Sequence, residues 1–222
     1  INKAIINDKN KELSISYQEV KSNVNNLIKE LSLYDNQIDE KTFLRVRNID
    51  TNKLSDTEIA ARFIYLNKTC FNGLYRLNSK GKFNTPYGKP NNPIVCNSEN
   101  LLHASEALQI CEITNDDFEN VVKSSTNNDF VYFDPPYIPI SMTSNFTSYT
   151  KDSFNLNDHE RLKNIVDDLT DKGVNVLISN SDSPITRHLY KDYNINEVMA
   201  NRVINSIGNK RGKIKELLIS NY

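Results

Sequence analysis

The stretch "DFVYFDPPYIPISMTSNFTSYT", residues 129–150, joins an apolar segment to a lone carboxylate, two prolines and an aromatic ring. Phe130 to Phe133 are apolar or aromatic throughout, and Asp134-Pro135-Pro136-Tyr137 follow at once. Proline has no N–H for a ladder and fixes φ, so a strand must stop here with its backbone carbonyls presented at preset angles. Asp134 then supplies a carboxylate acceptor beside a carbonyl acceptor, and Tyr137 supplies a flat face for stacking. Two acceptors and a π-face suit a planar ring that carries an exocyclic amino group. The lone pair of such an amine is delocalised into its ring; accepting both N–H bonds helps direct it toward an electrophile, and no prior proton removal by Asp134 is required. A four-residue string is weak alone, since a strand ending in an acid-Pro-Pro turn with tyrosine as filler has the same letters.

The elements that must hold this quartet are legible around it. Short apolar segments recur as "AIIN" (4–7), "QICEIT" (109–114), "FVYF" (130–133), "VNVLIS" (174–179), "INEVM" (195–199) and "ELLIS" (216–220). Several are apolar on both faces, the pattern of parallel strands covered by helices. Between them lies "NLNDHERLKNIVDDLTDKG" (155–173), where Asn155 or Asn157 caps a helix, Leu162, Ile165, Val166 and Leu169 recur at helical spacing, and Gly173 ends it. Strand-helix-strand alternation predicts an α/β sheet, whose ligands bind outside the carboxyl ends of the strands, where Asp134 falls. Residues 14 to 100 break the rhythm with helices ("SISYQEVKSNVNNLIKELSLYD", "SDTEIAARFIYLNKTCF") and a Gly/Pro/Asn-punctuated basic segment. That interval reads as a mostly helical insertion between two strands.

Lys and Arg total 27 against 28 Asp and Glu in 222 residues, which excludes a uniformly basic nucleic-acid coat but not local patches. Lys68 to Lys89 holds five basic residues and no acid, and Asn201 to Lys215 again holds five and none. Two such windows in a chain of net charge −1 point to a polyanion site, against solvated loops as the plainer reading. Cys70, Cys96 and Cys111 are odd in number and lack C-x-x-C spacing, and His103, His159 and His188 add no ligand pattern, so neither a disulfide framework nor a metal site is expected. No apolar run has the roughly 18 residues of a membrane span, and the start is not that of a signal peptide; a reducing cytoplasm is the expected compartment.

The DPPY quartet, with "CFNGLYRLNSKGKFNTPYGK" (70–89) and "NSIGNKRGKIKELLISNY" (205–222), resembles the DNA adenine methyltransferase family. These bacterial and phage enzymes transfer a methyl group from S-adenosylmethionine to N6 of adenine. The likeness extends over essentially the whole chain, and residues 70–89 are its more specific part. It implies a Rossmann-like S-adenosylmethionine-dependent methyltransferase sheet with an inserted, mostly helical target-recognition subdomain: a catalytic domain at 1–13 and 101–222, and a DNA-reading insertion at 14–100.

The resemblance assigns Asp134, Pro135, Pro136 and Tyr137 to catalysis on a flipped adenine, with Asp134 also near the amino-acid end of the cofactor. It places Asp8 on the cofactor's ribose hydroxyls, and Asp117 and Phe118 beside its adenine. Arg76 matches a residue that reads guanine through a bidentate fork, with Asn72, Leu74 and Pro86 as neighbouring contacts and Lys80, Lys210 and Arg211 as further DNA contacts. Other readings stand beside these. Asp8 also suits a helix cap before "KNKEL", Asp116 competes with Asp117, and Arg76 and Lys80 suit phosphate contacts that position without specifying. Residues 138–150 resemble the family's DNA-facing hairpin, or form a lid. The implied partners are double-stranded DNA, with GATC the commonest target, and a cognate restriction endonuclease acting on the same site; neither membrane nor metal is implied.

One departure is plain: the six glycines contain no G-x-G, whereas the family begins with a glycine-rich turn after its first strand. The expectation is therefore that residues 1–222 form part of a longer enzyme, and that apolar edges next to the family's central first strand are exposed. The alternatives are a catalytically incompetent DNA-binding remnant, and a methyltransferase acting on RNA or on a protein amide. Asp before the two prolines and the DNA-reading segment count against the latter.

Overall fold

The computed structural model describes residues 1–140, 154–202 and 212–222. They fall into two compact units, Ile1–Val121 and Val122–Tyr222. Both mix helices and strands, as an α/β protein should.

The first unit opens with β1 (Ala4–Asn7), which pairs in parallel with β2 (Cys111–Thr114), Ala4 facing Cys111 and Asn7 facing Thr114. Between them run α1 (Lys11–Ser22), α2 (Val24–Ser32), α3 (Glu40–Arg47), α4 (Asp56–Thr69) and α5 (Ser98–Ala107). Asn10 starts α1 by accepting from the Glu12 and Leu13 amides, and Ser55 with Glu58 forms a reciprocal capping box on α4, each satisfying amides that a helix start leaves open. Leu27, Leu31, Phe43, Val46, Ala60, Ala61 and Tyr65 are fully buried, each large member worth about 1.5–3 kcal/mol over exposure. Within this core the Arg62 guanidinium donates from Nε to the Val46 carbonyl at 3.1 Å and from Nη2 to the Arg47 carbonyl at 3.0 Å, and pairs through Nη1 with Glu12 at 3.0 Å. It thereby caps the end of α3, whose last carbonyls have no intrahelical partner. The described residues between β1 and β2 contain no extended strand, only the isolated bridges Cys70 to Tyr87 and Leu77 to Phe83.

The second unit follows α6 (Phe118–Val122) and comprises β3 (Phe130–Phe133), α7 (Leu156–Asp171), β4 (Asn175–Ser181), α8 (Pro184–Leu189), β5 (Asn194–Arg202) and β6 (Gly212–Ser220). Its sheet has the order β3-β4-β6-β5. Asn155 caps α7 in a capping box with Asp158, and Leu162, Ile165, Val166 and Leu169 are buried as their spacing predicts. Val176 and Ile178 of β4 and Leu217 and Ile219 of β6 are buried as well, at alternate positions of neighbouring strands.

The structure corrects one expectation. Only β3 and β4 run parallel here; β6 is antiparallel to both β4 and β5, Arg202 facing Gly212. The nine residues from 203 to 211 are too few for the crossover that parallel neighbours require, so β5 and β6 pair as antiparallel partners. Strand β3 lies at the edge of this sheet, and its Phe130 is 57% and Tyr132 52% exposed.

Candidate active site and basic segment

Register sets the position of the quartet. Phe133 is opposite Ile178, so the next residues along the two parallel strands, Asp134 and Ser179, come level at their carboxyl ends. Ser179 donates its hydroxyl to Asp134 Oδ1 at 2.6 Å and accepts from the Tyr132 hydroxyl at 3.0 Å. Pro135 is buried, while Asp134, Pro136 and Tyr137 are exposed. The far end of the turn is held by the next two residues of β4: Asn180 Oδ1 accepts from the Ile138 amide at 3.0 Å, and the Ser181 hydroxyl donates to the Ile138 carbonyl. Beneath the turn, buried His159 of α7 is hydrogen-bonded to the backbone of Pro136, which offers only a carbonyl, so the imidazole is the donor. Burial pushes that imidazole down from 6.5 to about 4, so it is neutral at neutral pH.

Tyr137 donates its hydroxyl to Glu216 at 3.3 Å. Burial pushes its phenol up. Asp134 thus presents an oriented carboxylate, with a ring anchored at its hydroxyl end three residues on. Ser179, Asn180, Ser181, Tyr132 and His159 were not singled out from sequence. The one signal was "SNS" closing an otherwise apolar strand, three polar residues that are all buried in the structure.

At the carboxyl ends of β1 and β2 a second group assembles. Asp8 is exposed and spends Oδ1 on the Asn10 amide at 2.7 Å, while Asn10 and not Asp8 caps α1. Asn115 donates to the Asp8 carbonyl at 2.7 Å, and Asn7 exchanges hydrogen bonds with the Asp116 backbone, which draws residues 115–117 against Asp8. Asp116 turns its carboxylate inward to the Asp117 amide and to Asn120, which holds its pKa below the ordinary range. Asp117 accepts from the Glu119 amide at the start of α6, followed directly by Phe118. Two acids and a ring at the carboxyl ends of adjacent parallel strands fit the ribose hydroxyls and the base of a nucleoside cofactor.

The basic segment hangs from the end of α4. Phe71 donates to the Pro86 carbonyl and Gly88 to the Thr69 carbonyl, both at 2.9 Å, and further out Asn84 donates to the Arg76 carbonyl at 2.9 Å. The legs meet at a tip where the Asn78 side chain accepts from the Lys80 and Lys82 amides and Gly81 takes a φ of +70°. Asn72 also adopts a positive φ, +53°, which asparagine tolerates better than most residues. A side chain at Gly88 would overlap the Cys70 carbonyl. Inside, Thr85 is fully buried and donates to the Leu74 carbonyl at 2.6 Å, and Tyr75 packs between Phe63 and Phe83. Outside, Asn72, Arg76, Lys80 and Pro86 are exposed and Leu74 is half-buried. Asn84 accepts from Arg76 Nε at 2.8 Å through its side chain and from Nη2 at 3.4 Å through its backbone carbonyl, an arrangement that does not use Nη1. The structure therefore gathers Asn72, Leu74, Arg76, Lys80 and Pro86 in one segment, whereas Lys210, Arg211 and residues 141–150 lie outside the described residues.

Among the described residues no cluster of three or more His, Cys, Asp or Glu side chains could hold a metal ion, and no helix is long and apolar enough to cross a membrane.

The sequence profile of the D12 class N6 adenine-specific DNA methyltransferases matches residues 1–204. A Type II methyltransferase of Lactococcus lactis subsp. cremoris is 43% identical over 226 residues, covering 99% of this chain and 80% of that protein. A Type II methyltransferase of Methanocaldococcus jannaschii is 43% identical over 232 residues, with the same coverage, 99% and 80%. A DNA adenine methylase of Vibrio cholerae is 40% identical over 160 residues, 70% of this chain and 56% of that protein.

Proposed function

The chain belongs to the D12 class of N6 adenine-specific DNA methyltransferases, and from that premise we propose that it methylates N6 of an adenine flipped out of duplex DNA, within GATC, with S-adenosylmethionine as donor. The observation that carries this reading is the Asp134 carboxylate, oriented by Ser179 at the carboxyl end of β3 with Tyr137 anchored three residues on. S-adenosylmethionine, when bound, supplies a methyl group on a positively charged sulfur. Asp134 and a carbonyl of the proline turn accept the two N–H bonds of the target amino group, which withdraws its lone pair from conjugation with the ring. Tyr137 stacks on the extruded base and offsets part of the few kcal/mol that flipping costs. Asp8 holds the ribose hydroxyls of the donor, Asp117 and Phe118 border its adenine, and Asp134 borders its amino-acid end.

In the basic segment Arg76 presents its fork to O6 and N7 of a guanine, flanked by Asn72, Leu74 and Pro86. Lys80, Lys210 and Arg211 contact the phosphates. GATC is the commonest target of the family the sequence resembles. Residues 1–13 and 101–222 are read as the catalytic domain of a Rossmann-like fold, with 14–100 as the helical reading insertion; parallel pairing within each sheet, β1–β2 and β3–β4, supports that reading. The names of the Type II relatives support a cognate restriction endonuclease as partner, in the cytoplasm where the DNA is.

Labelled methyl transfer to an unmethylated GATC duplex, beside a duplex with that site scrambled, tests the proposal. Incorporation into the GATC duplex alone is expected. Equal incorporation into both would overturn the target assignment. Salt-dependent duplex binding without incorporation into either would favour a DNA-binding remnant.

A further inference from the structure

Ser179 is placed to do more than close a strand. Only 4% exposed, it stands level with Asp134, and its hydroxyl has one proton to give. Asp134 Oδ1, at 2.6 Å, can only accept as a carboxylate, so that proton goes there. The Ser179 oxygen is then left to accept from Tyr132 at 3.0 Å, which sets the direction of the tyrosine proton as well. Tyr132 lies on β3 and Asp134 one residue past its end, two positions apart along the extended backbone, and a single side chain of β4 is hydrogen-bonded to both. The result is a directed chain of two hydroxyls that ends on one oxygen of one carboxylate. It makes the two Asp134 oxygens inequivalent, because Ser179 engages Oδ1. An exposed carboxylate without such a partner rotates freely about χ2, a loss of aim that costs rate even when binding is unchanged.

We propose that Ser179 is a positioning residue for methyl transfer, fixing the plane of the Asp134 carboxylate so that one oxygen meets the amino group, and that Tyr132 acts through Ser179 as a second positioning residue. This rests on the catalytic reading of Asp134 and deepens it. Positioning by a supporting side chain is worth about 10- to 100-fold in rate where the supported group must be aimed to a fraction of an ångström.

The test uses the whole chain and unmethylated genomic DNA, so that any target sequence registers. Ser179→Ala is expected to lower single-turnover methyl transfer by about 10- to 100-fold, with unchanged duplex affinity and thermal midpoint, and Ser179→Thr to restore most of the rate. Tyr132→Phe lowers the rate by a smaller factor, and Ser179→Ala/Tyr132→Phe is no slower than Ser179→Ala alone, because the tyrosine has no other route to Asp134. A second readout needs no turnover: the carboxyl ¹³C resonance of Asp134, identified by its loss in Asp134→Asn, shifts in Ser179→Ala and stays in place in Ser179→Thr. Asp134→Ala is assayed alongside. If it keeps the parent rate, the catalytic reading of Asp134 fails. If it is inactive while Ser179→Ala keeps both the parent rate and the parent resonance, the positioning role fails alone. Additive losses in the double variant would overturn the route from Tyr132 through Ser179.

Discussion

The DPPY turn and the basic segment from Cys70 to Gly88 carry the two halves of the proposed chemistry, and they are supported in opposite ways. The turn is held from outside itself: Ser179, Asn180 and Ser181, all buried, grip Asp134 at one end and Ile138 at the other, and His159 rises from α7 to the carbonyl between them. The basic segment is held largely from within, by backbone pairs between its own legs, the Thr85 hydroxyl and the close approach at Gly88. The contrast follows the tasks. A carboxylate that must aim at one amino group needs neighbours that lock it, whereas side chains that read DNA need reach from a rigid base. Hence Arg76 and Lys80 extend into solvent while the residues beneath them are buried.

The contrast can be broken or sharpened by mutation. The largest effect is expected at Arg62, on the helix from which the reading segment hangs. Arg62→Ala removes one donor from the Val46 carbonyl, takes the guanidinium away from the Arg47 carbonyl and Glu12, and costs about 3–5 kcal/mol, measurable by urea unfolding. A loss below about 1 kcal/mol would show that the scaffold does not rely on this buried cation. Asp134→Ala comes next, with methyl transfer falling roughly 100- to 1,000-fold while duplex affinity is kept. Near-normal turnover would remove the carboxylate from the mechanism.

Two substitutions in the reading segment then separate support from reading. Gly88→Ala forces its Cβ into the Cys70 carbonyl and should cost about 1–3 kcal/mol of stability, weakening binding to every duplex alike. Arg76→Ala should instead cost about 1–3 kcal/mol at one base pair of the target and leave stability alone, as a competition series of substituted duplexes would report. If every base substitution costs the Arg76 variant what it costs the parent, Arg76 touches phosphate only.

The smallest effect concerns pH. The unfolded chain takes up a proton on His159 near pH 6.5 that the folded chain refuses until about pH 4. Stability from this group is therefore fully present above pH 6.5 and is lost as pH falls toward 4, by at most about 1.4 kcal/mol per pH unit. His159→Gln should flatten the dependence of the urea midpoint on pH across that window. An unchanged slope would assign it to other groups.

Much of this was readable from one chain of letters. The apolar runs placed all six strands of the described residues, Leu162 to Leu169 placed the face of α7, and the acid before two prolines placed the turn. What escaped was polar and buried. Ser179 closes an apolar run and Asn180 and Ser181 lie just beyond it; serine and asparagine are usually exposed, and only the tertiary structure gives these buried side chains their partners. Helix α3 was missed because just Phe43 and Val46 mark its buried face, too few for a period to register.

The sequence by itself determined the periodic elements, the stop after β3 and the chemical types gathered at its end, because those follow from local sterics and from which residues seek burial. Tertiary structure alone decided that β6 is inserted between β4 and β5, that Asn10 and not Asp8 caps α1, and that Asp134 is aimed by Ser179. Each depends on register between separate segments or on a competition for one hydrogen bond, and no local pattern encodes either.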